Sequence, residues 1–169
     1  MTIFHVKRYV STETYKGDRK KNIDYIQIYT ESDIQKLNEK FNFFHDSCIK
    51  EINYISGEYV DAKGAMYPFN SERKLSVILQ SQDAQIRSIE LIFEKIRSLY
   101  LAPKIPDYDG IIYESYFKKE QDLFYWSDSD EFISEPKLNE SGTFIIAEAV
   151  KWREVHFFGN EQIYIMKDD

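Results

Sequence analysis

The chain has 169 residues, 43% hydrophobic and 16% aromatic, with a formal net charge of −7. That length and composition fit one domain whose core stands without staples, and they exclude a disordered chain. A single cysteine, Cys48, excludes an internal disulfide and a cysteine-built zinc site. No apolar run approaches the roughly 20 residues that cross a bilayer, and the opening MTIFHVKRYV lacks the apolar run and cleavage site of a signal peptide. The expectation is a cytoplasmic protein with no membrane partner.

The negative charge is concentrated. From Asp107 to Glu140 ten acidic residues stand against three lysines, a balance of −7 that equals the excess of the whole chain. Such a surface repels phosphate backbones and attracts basic proteins, so nucleic acid is not an expected partner. Asp122, Asp128, Asp130, Glu131 and Glu135 are the candidate contact residues, the plainer alternative being a solvated face kept acidic for solubility.

In chain order, Ile3 to Val10 reads as a strand, then a polar loop around Lys16-Gly17-Asp18, then a strand over Ile23 to Tyr29 with Ile26 and Ile28 on one face. The two runs could pair as a hairpin. Residues 30–40, TESDIQKLNEK, give the clearest helix signal. Ser32 is the expected N-cap with Gln35 three residues on, and Ile34, Leu37 and Phe41 form an apolar stripe. An aromatic knot follows, Phe41 to Phe44, and runs into His45, Asp46, Ser47 and Cys48.

Cys48 to Val60 reads as a strand with Ile52 and Tyr54 on one face and Ile49, Glu51, Asn53 and Ile55 on the other. Residues 61–73 read as a loop. Leu75, Val77 and Leu79 mark a strand with one buried face. Residues 86–101 carry both periodicities: Ile86, Ile89, Phe93 and Ile96 suit a helix, while Ile89, Leu91 and Phe93 alternating with Glu90 and Glu94 suit a strand. The β-branched content favours strand. Ile111 to Phe117 and Asp122 to Trp126 read as two strands joined by a Lys118–Gln121 turn, and Ser127 to Asn139 as an acidic loop. Thr143 to Val155 is a last long strand with Phe144, Ile146, Val150 and Trp152 on one face. His156 to Gly159 reads as a turn and Ile163 to Met166 as a short closing element. The expected fold is mainly β (α+β), an antiparallel sheet or sandwich with one helix near 31–41.

His45-Asp46 is the sharpest candidate for chemistry. Adjacent His and Asp can bind a divalent metal, or act as a base beside a nucleophile such as Ser47 or Cys48, which would make a small metal-dependent hydrolase. Such a site needs further ligands, and His5 and His156 sit in strand-like runs. The structural alternative has Asp46 accepting backbone N–H groups at the helix-to-strand junction and His45 packed among Phe41, Phe43 and Phe44. Asp128-Ser129-Asp130 has a metal-binding spacing that also suits an ordinary loop. Nothing near Cys48 points to an activated thiol. No phosphate-binding glycine loop or hydrolase signature is present, so no cofactor is expected.

Phe44-His45-Asp46-Ser47, then Ile49 and Ile52, the alternating Leu75-Ser76-Val77 and Ile89-Glu90-Leu91-Ile92-Phe93, resembles a group of small bacterial proteins of poorly defined role. Some of these are immunity-type proteins encoded beside polymorphic toxins. The resemblance covers about Phe41 to Leu101, and Glu148 to Trp152 is similar to their closing strand. It implies a mainly antiparallel β fold, no catalytic activity and a strand at 86–97; taken with the acidic segment, it makes a basic protein such as a toxin the expected partner.

Overall fold

The computed structural model describes residues 24–69, 72–103, 109–131 and 142–156, together with Gly159. Its elements are β1 (Ile26–Ile28), α1 (Glu31–Lys40), β2 (Ser47–Ile55), β3 (Tyr59–Val60), β4 (Met66–Tyr67), β5 (Lys74–Ser81), β6 (Ser88–Ala102), β7 (Ile111–Ile112), β8 (Tyr116–Glu120), β9 (Leu123–Ser127) and β10 (Gly142–Glu154). Eight strands form one antiparallel sheet in the order β7-β2-β5-β6-β10-β9-β8, with β1 added to β10, and the sheet curls into a half-barrel. β3 and β4 form a separate two-stranded ribbon. The protein is mainly β, with one α-helix among the described residues, in the N-terminal half. The strands expected at Ile3 to Val10 and Ile163 to Met166 lie outside the described residues, as does most of the 127–139 loop.

The long ambiguous run is a strand. β6 pairs with β5 on one side and β10 on the other, and Ile89, Leu91 and Phe93 enter the core with Leu75, Val77 and Leu79. A central strand flanked on both edges suits β-branched and aromatic side chains. The opposite face is buried too: Ile78 and Ile92 are 0% and 1% exposed. The helix-like spacing has another source: Ile86, Ile89, Phe93 and Ile96 all lie on the core side, and the irregularity at Lys95 steps that side by three, from Phe93 to Ile96.

α1 supplies the filling of the half-barrel. Ile34 and Leu37 are buried against the sheet core. The N-cap is Thr30 rather than Ser32. The Thr30 side chain accepts from the Asp33 amide and Asp33 accepts from the Thr30 amide, a complete capping box two residues earlier than expected. Thr30→Ala should cost about 1 kcal/mol. The first turn is also tied to the edge of the sheet, because Glu31 accepts from the Lys119 amide and the Lys119 ammonium donates to the Tyr29 carbonyl.

Irregularities in the ladder account for two other departures from the expected pattern, and the position of one hairpin turn for a third. A register shift between Ile49 and Glu51 puts Ile49 opposite Leu79, so Ile49 shares the core face with Ile52 instead of opposing it. A second shift lies between Ile146 and Ala147. There the core positions step by three on both partners, from Phe93 to Ile96 and from Ala147 to Val150. Ile145 and Ala147 therefore face the core, in place of Phe144 and Ile146. Lys95, at φ 55°, takes up the bend, and Glu148 holds it by pairing with Lys95 and Arg97. The third is the β8–β9 hairpin, which turns at Gln121-Asp122, later than Lys118–Gln121, so Lys118 and Lys119 belong to a strand.

Candidate functional site

The knot after α1 is a backbone reversal that sorts its aromatics. Asn42, Phe43 and Phe44 lie in the left-handed region at φ 51°, 53° and 63°, and Asp46 follows at 53°. The Phe44 amide donates to the Phe41 carbonyl and the His45 amide to the Asn42 carbonyl. Asn is at ease in this region; two phenylalanines are not, at roughly 1–2 kcal/mol each. The compensation is packing. Phe41 and Phe44 are fully buried, and Phe44 meets Phe41, Phe117 and Trp126 edge-on with ring centroids 5.3, 6.3 and 6.0 Å away. Phe43 is turned out and is 50% exposed.

His45 and Asp46 come next on the surface. His45 Nδ1 lies 3.0 Å from Asp46 Oδ2, with the two side chains 51% and 34% exposed. His45 is thus outside the aromatic cluster, not packed within it. The backbone contact of Asp46 is through its carbonyl, which accepts from the Gln82 amide. Ser47 is buried and its hydroxyl donates to the Phe44 carbonyl at 2.5 Å, which fixes the turn and takes the hydroxyl away from His45. Cys48 is half-buried in β2.

The topology then brings the start of the acidic segment alongside. β7 pairs Ile112 with Ser47 and Ile111 with Cys48, and the Ser115 hydroxyl donates to the Phe43 carbonyl at 3.2 Å. Tyr113, 54% exposed, donates to Asp109 at 2.9 Å. That hydrogen bond, then partial desolvation and the fields of Asp109 and Asp46, push the Tyr113 hydroxyl above its ordinary pKa. One surface therefore carries two exposed aromatics, an imidazole and the carboxylates of Asp46 and Asp109. Composition marked the acidic run and the motif separately; the juxtaposition needed the β2–β7 register.

Of the five acidic residues expected to act together, the four that are described do not form one patch. Asp122 is exposed in the β8–β9 turn, while Asp130 and Glu131 are exposed beyond the far end of β9, about 17 Å of strand away. Asp128 is buried. Its carboxylate accepts from the Thr143 amide at 2.9 Å and its own amide donates to the Thr143 carbonyl, so it is a structural clasp between β9 and β10. Gly142 makes room for it: a Cβ there would stand 3.0 Å from Asp128 Oδ1. Glu135 lies outside the described residues.

A polar network on the opposite sheet face was not legible in the sequence. Glu90, 3% exposed, accepts from the Tyr25 hydroxyl at 2.8 Å, the Ser76 hydroxyl at 2.6 Å and Arg153 at 2.6 Å. Burial, then the hydrogen bond to Glu90, push the Tyr25 hydroxyl up to about 12. Arg153 and Lys151 both lie over the Tyr25 ring, and Lys151 pairs with Glu94 at 2.5 Å. A cleft of about 200 Å³ beside the network is lined by Tyr25, Asn53, Lys74 and Arg153. With its carboxylate oxygens engaged, Glu90 ties β1, β5, β6 and β10 together.

Fold and surface together define a small mainly β protein with a curled antiparallel sheet wrapped on one helix. No protein-family model matches the chain, and comparison with curated proteins and with solved structures likewise gives no match.

Proposed function

We propose that this protein is a non-enzymatic interaction module that binds a basic protein through the surface built by Phe43, His45, Asp46, Asp109 and Tyr113. The observation that carries this reading is the placement of the Phe-His-Asp turn and the acidic 109–115 segment side by side. A lysine or arginine of a partner finds aromatic faces there for cation–π contact and carboxylates for charge-assisted hydrogen bonds. The immunity-type role suggested by the Phe44-His45-Asp46-Ser47 stretch fits this surface: a basic toxin is the kind of partner it would mask. Capture of a partner from the source cells at low and at high salt tests it. Binding should be strong at low salt and weaken as salt screens the acidic surface. Absence of any captured protein at both salts contradicts it.

The contact between His45 and Asp46 favours a second reading, a hydrolytic or metal-assisted role for that pair. Among the described residues no group of three His, Cys, Asp or Glu is placed to hold an ion, so this reading rests on the pair alone. Calorimetric titration with zinc or manganese, with His45→Ala as control, separates the two readings. Stoichiometric binding lost in the variant favours chemistry.

A further inference from the structure

The Glu90 network walls a cleft that it does not fill. Period-two alternation puts Asn53 and Ile55 of β2, Lys74 and Ser76 of β5 and Glu90 and Ile92 of β6 on one face of the sheet. The register sets Asn53 opposite Ser76 and Ser76 opposite Ile92, so these three make a floor. Ile55 and Lys74 stand opposite each other at one end of it, and Glu90 and Arg153 at the other. The cleft measures about 200 Å³. That is room for a handful of waters or a ligand of similar size, below the range of about 300–1,000 Å³ for drug-sized molecules.

Most polar side chains around the cleft are already matched. Tyr25 and Ser76 donate to Glu90, and Lys151 pairs with Glu94. Two lining groups are not. Among the described residues the Lys74 ammonium and the Asn53 amide, both on half-buried residues, have no hydrogen-bond or ion-pair partner. Arg153 uses only Nε and Nη2 on Glu90, so among the described residues Nη1 is a further donor without a partner. The lining charges are Lys74, Arg153 and Glu90, one positive in excess, in a chain whose net charge is −7. A half-buried ammonium beside two other unmatched donors is completed by an anion.

The site is also set before a ligand arrives. Glu90 fixes the Arg153 guanidinium, which lies 4.6 Å from the centroid of the Tyr25 ring. A donor held in place loses little freedom on binding. The rest of the lining is apolar: Ile92 is buried in the floor, and Ile55, 45% exposed, stands at the rim.

We propose that this cleft binds a small organic acid. Its carboxylate accepts from Lys74, Arg153 Nη1 and Asn53, and its short hydrocarbon tail lies on Ile55 and Ile92. The apolar lining selects that ligand over inorganic phosphate, which would meet the same donors and leave the isoleucines uncovered. Asn53 lies about 20 Å along β2 from Ser47, where the proposed partner surface begins, so the cleft neither uses nor blocks that surface.

Amide NMR titration of the full chain with butyrate, butyramide and inorganic phosphate tests this. Butyrate should shift the Asn53 and Lys74 amides saturably, with a Kd on the order of 1 mM, in keeping with so small a ligand. Butyramide has the tail without the charge and phosphate the charge without the tail, so each should bind at least tenfold more weakly. Lys74→Met keeps the apolar stem and removes the ammonium, and should weaken butyrate at least tenfold. Lys63→Met, which removes an exposed lysine away from the cleft, should titrate as the wild type does. No saturable shift with butyrate up to about 50 mM overturns the proposal. So does binding of butyramide or phosphate equal to that of butyrate, or undiminished binding by Lys74→Met.

Discussion

Arg153 on β10 donates to Glu90 on β6 at 2.6 Å, and the carboxylate that receives it is almost sealed from water. The carboxylate also accepts hydrogen bonds from the Tyr25 and Ser76 hydroxyls, which leaves the charge buried but well satisfied. Glu90→Gln removes the charge and leaves Arg153 without its ion-pair partner. Because Arg153 is 32% exposed and can turn to water, the cost should fall at the lower end for a buried pair, about 2–3 kcal/mol. Adding Arg153→Met to Glu90→Gln should cost less than Arg153→Met alone. Urea unfolding of the two single variants and the double variant measures the coupling.

The same network has an alkaline signature. Burial and the Glu90 hydrogen bond raise the Tyr25 hydroxyl from its ordinary 10 to about 12, so folding favours the protonated phenol. That contribution is whole below pH 10 and is lost as pH climbs from 10 toward 12. Tyr25→Phe should lower stability at neutral pH by about 1 kcal/mol, because the buried Glu90 carboxylate loses a donor, and the difference from wild type should shrink as pH climbs from 10 toward 12. It should also remove a late-titrating phenolate from the absorbance titration near 295 nm. An unchanged titration curve above pH 11 would show that the hydroxyl is not held in this way.

Neighbouring phenylalanines in the reversal should respond in opposite senses. Phe44→Ala empties the centre of the aromatic cluster and should cost about 3–5 kcal/mol, a drop on the order of 10 °C in Tm. Phe43→Asn places a residue that tolerates positive φ where an exposed aromatic now sits, and should hold or raise stability by up to about 1 kcal/mol. Thermal melts of both variants check this directly. Loss of stability in Phe43→Asn comparable to that of Phe44→Ala would mean the outward ring is part of the core.

Much of the framework could be read from local pattern. Leu75, Val77 and Leu79 alternate cleanly because β5 is regular along its core face. Ile34 and Leu37 mark the buried side of α1 because that helix buries one stripe. Ile49 and Phe144 fell on the wrong faces because single-residue shifts in β2 and β6 reset a period of two, and nothing in either strand's own sequence announces a bulge. Ser32 was a sound cap by spacing; Thr30 won because Asp33 closes the reciprocal pair. Asp128 was read as a surface contact and Glu90 only as a polar position in an alternating strand, because carboxylates are usually exposed; each is buried by a partner distant in sequence, Thr143 and Arg153. Tyr59 and Val60 were read as the end of the Cys48–Val60 strand and Met66 and Tyr67 as loop, because the ribbon's own strands are only two residues long.

The site itself was legible only in parts. Phe44 to Ser47 stood out as a motif and 107–140 as a charge run, but their meeting depends on two residue pairs, Ile112 with Ser47 and Ile111 with Cys48. The residues that complete the surface, Phe43 and Tyr113, carry no sequence mark of exposure.

Partner capture with Phe43→Asn and Asp109→Asn, each shown by circular dichroism to be folded, addresses the proposed role most directly. A basic protein retained by the wild type at low salt should be released by high salt and retained at least tenfold less by either variant. Equal retention by both variants, or capture of a partner indifferent to salt, would contradict binding through the His45 surface.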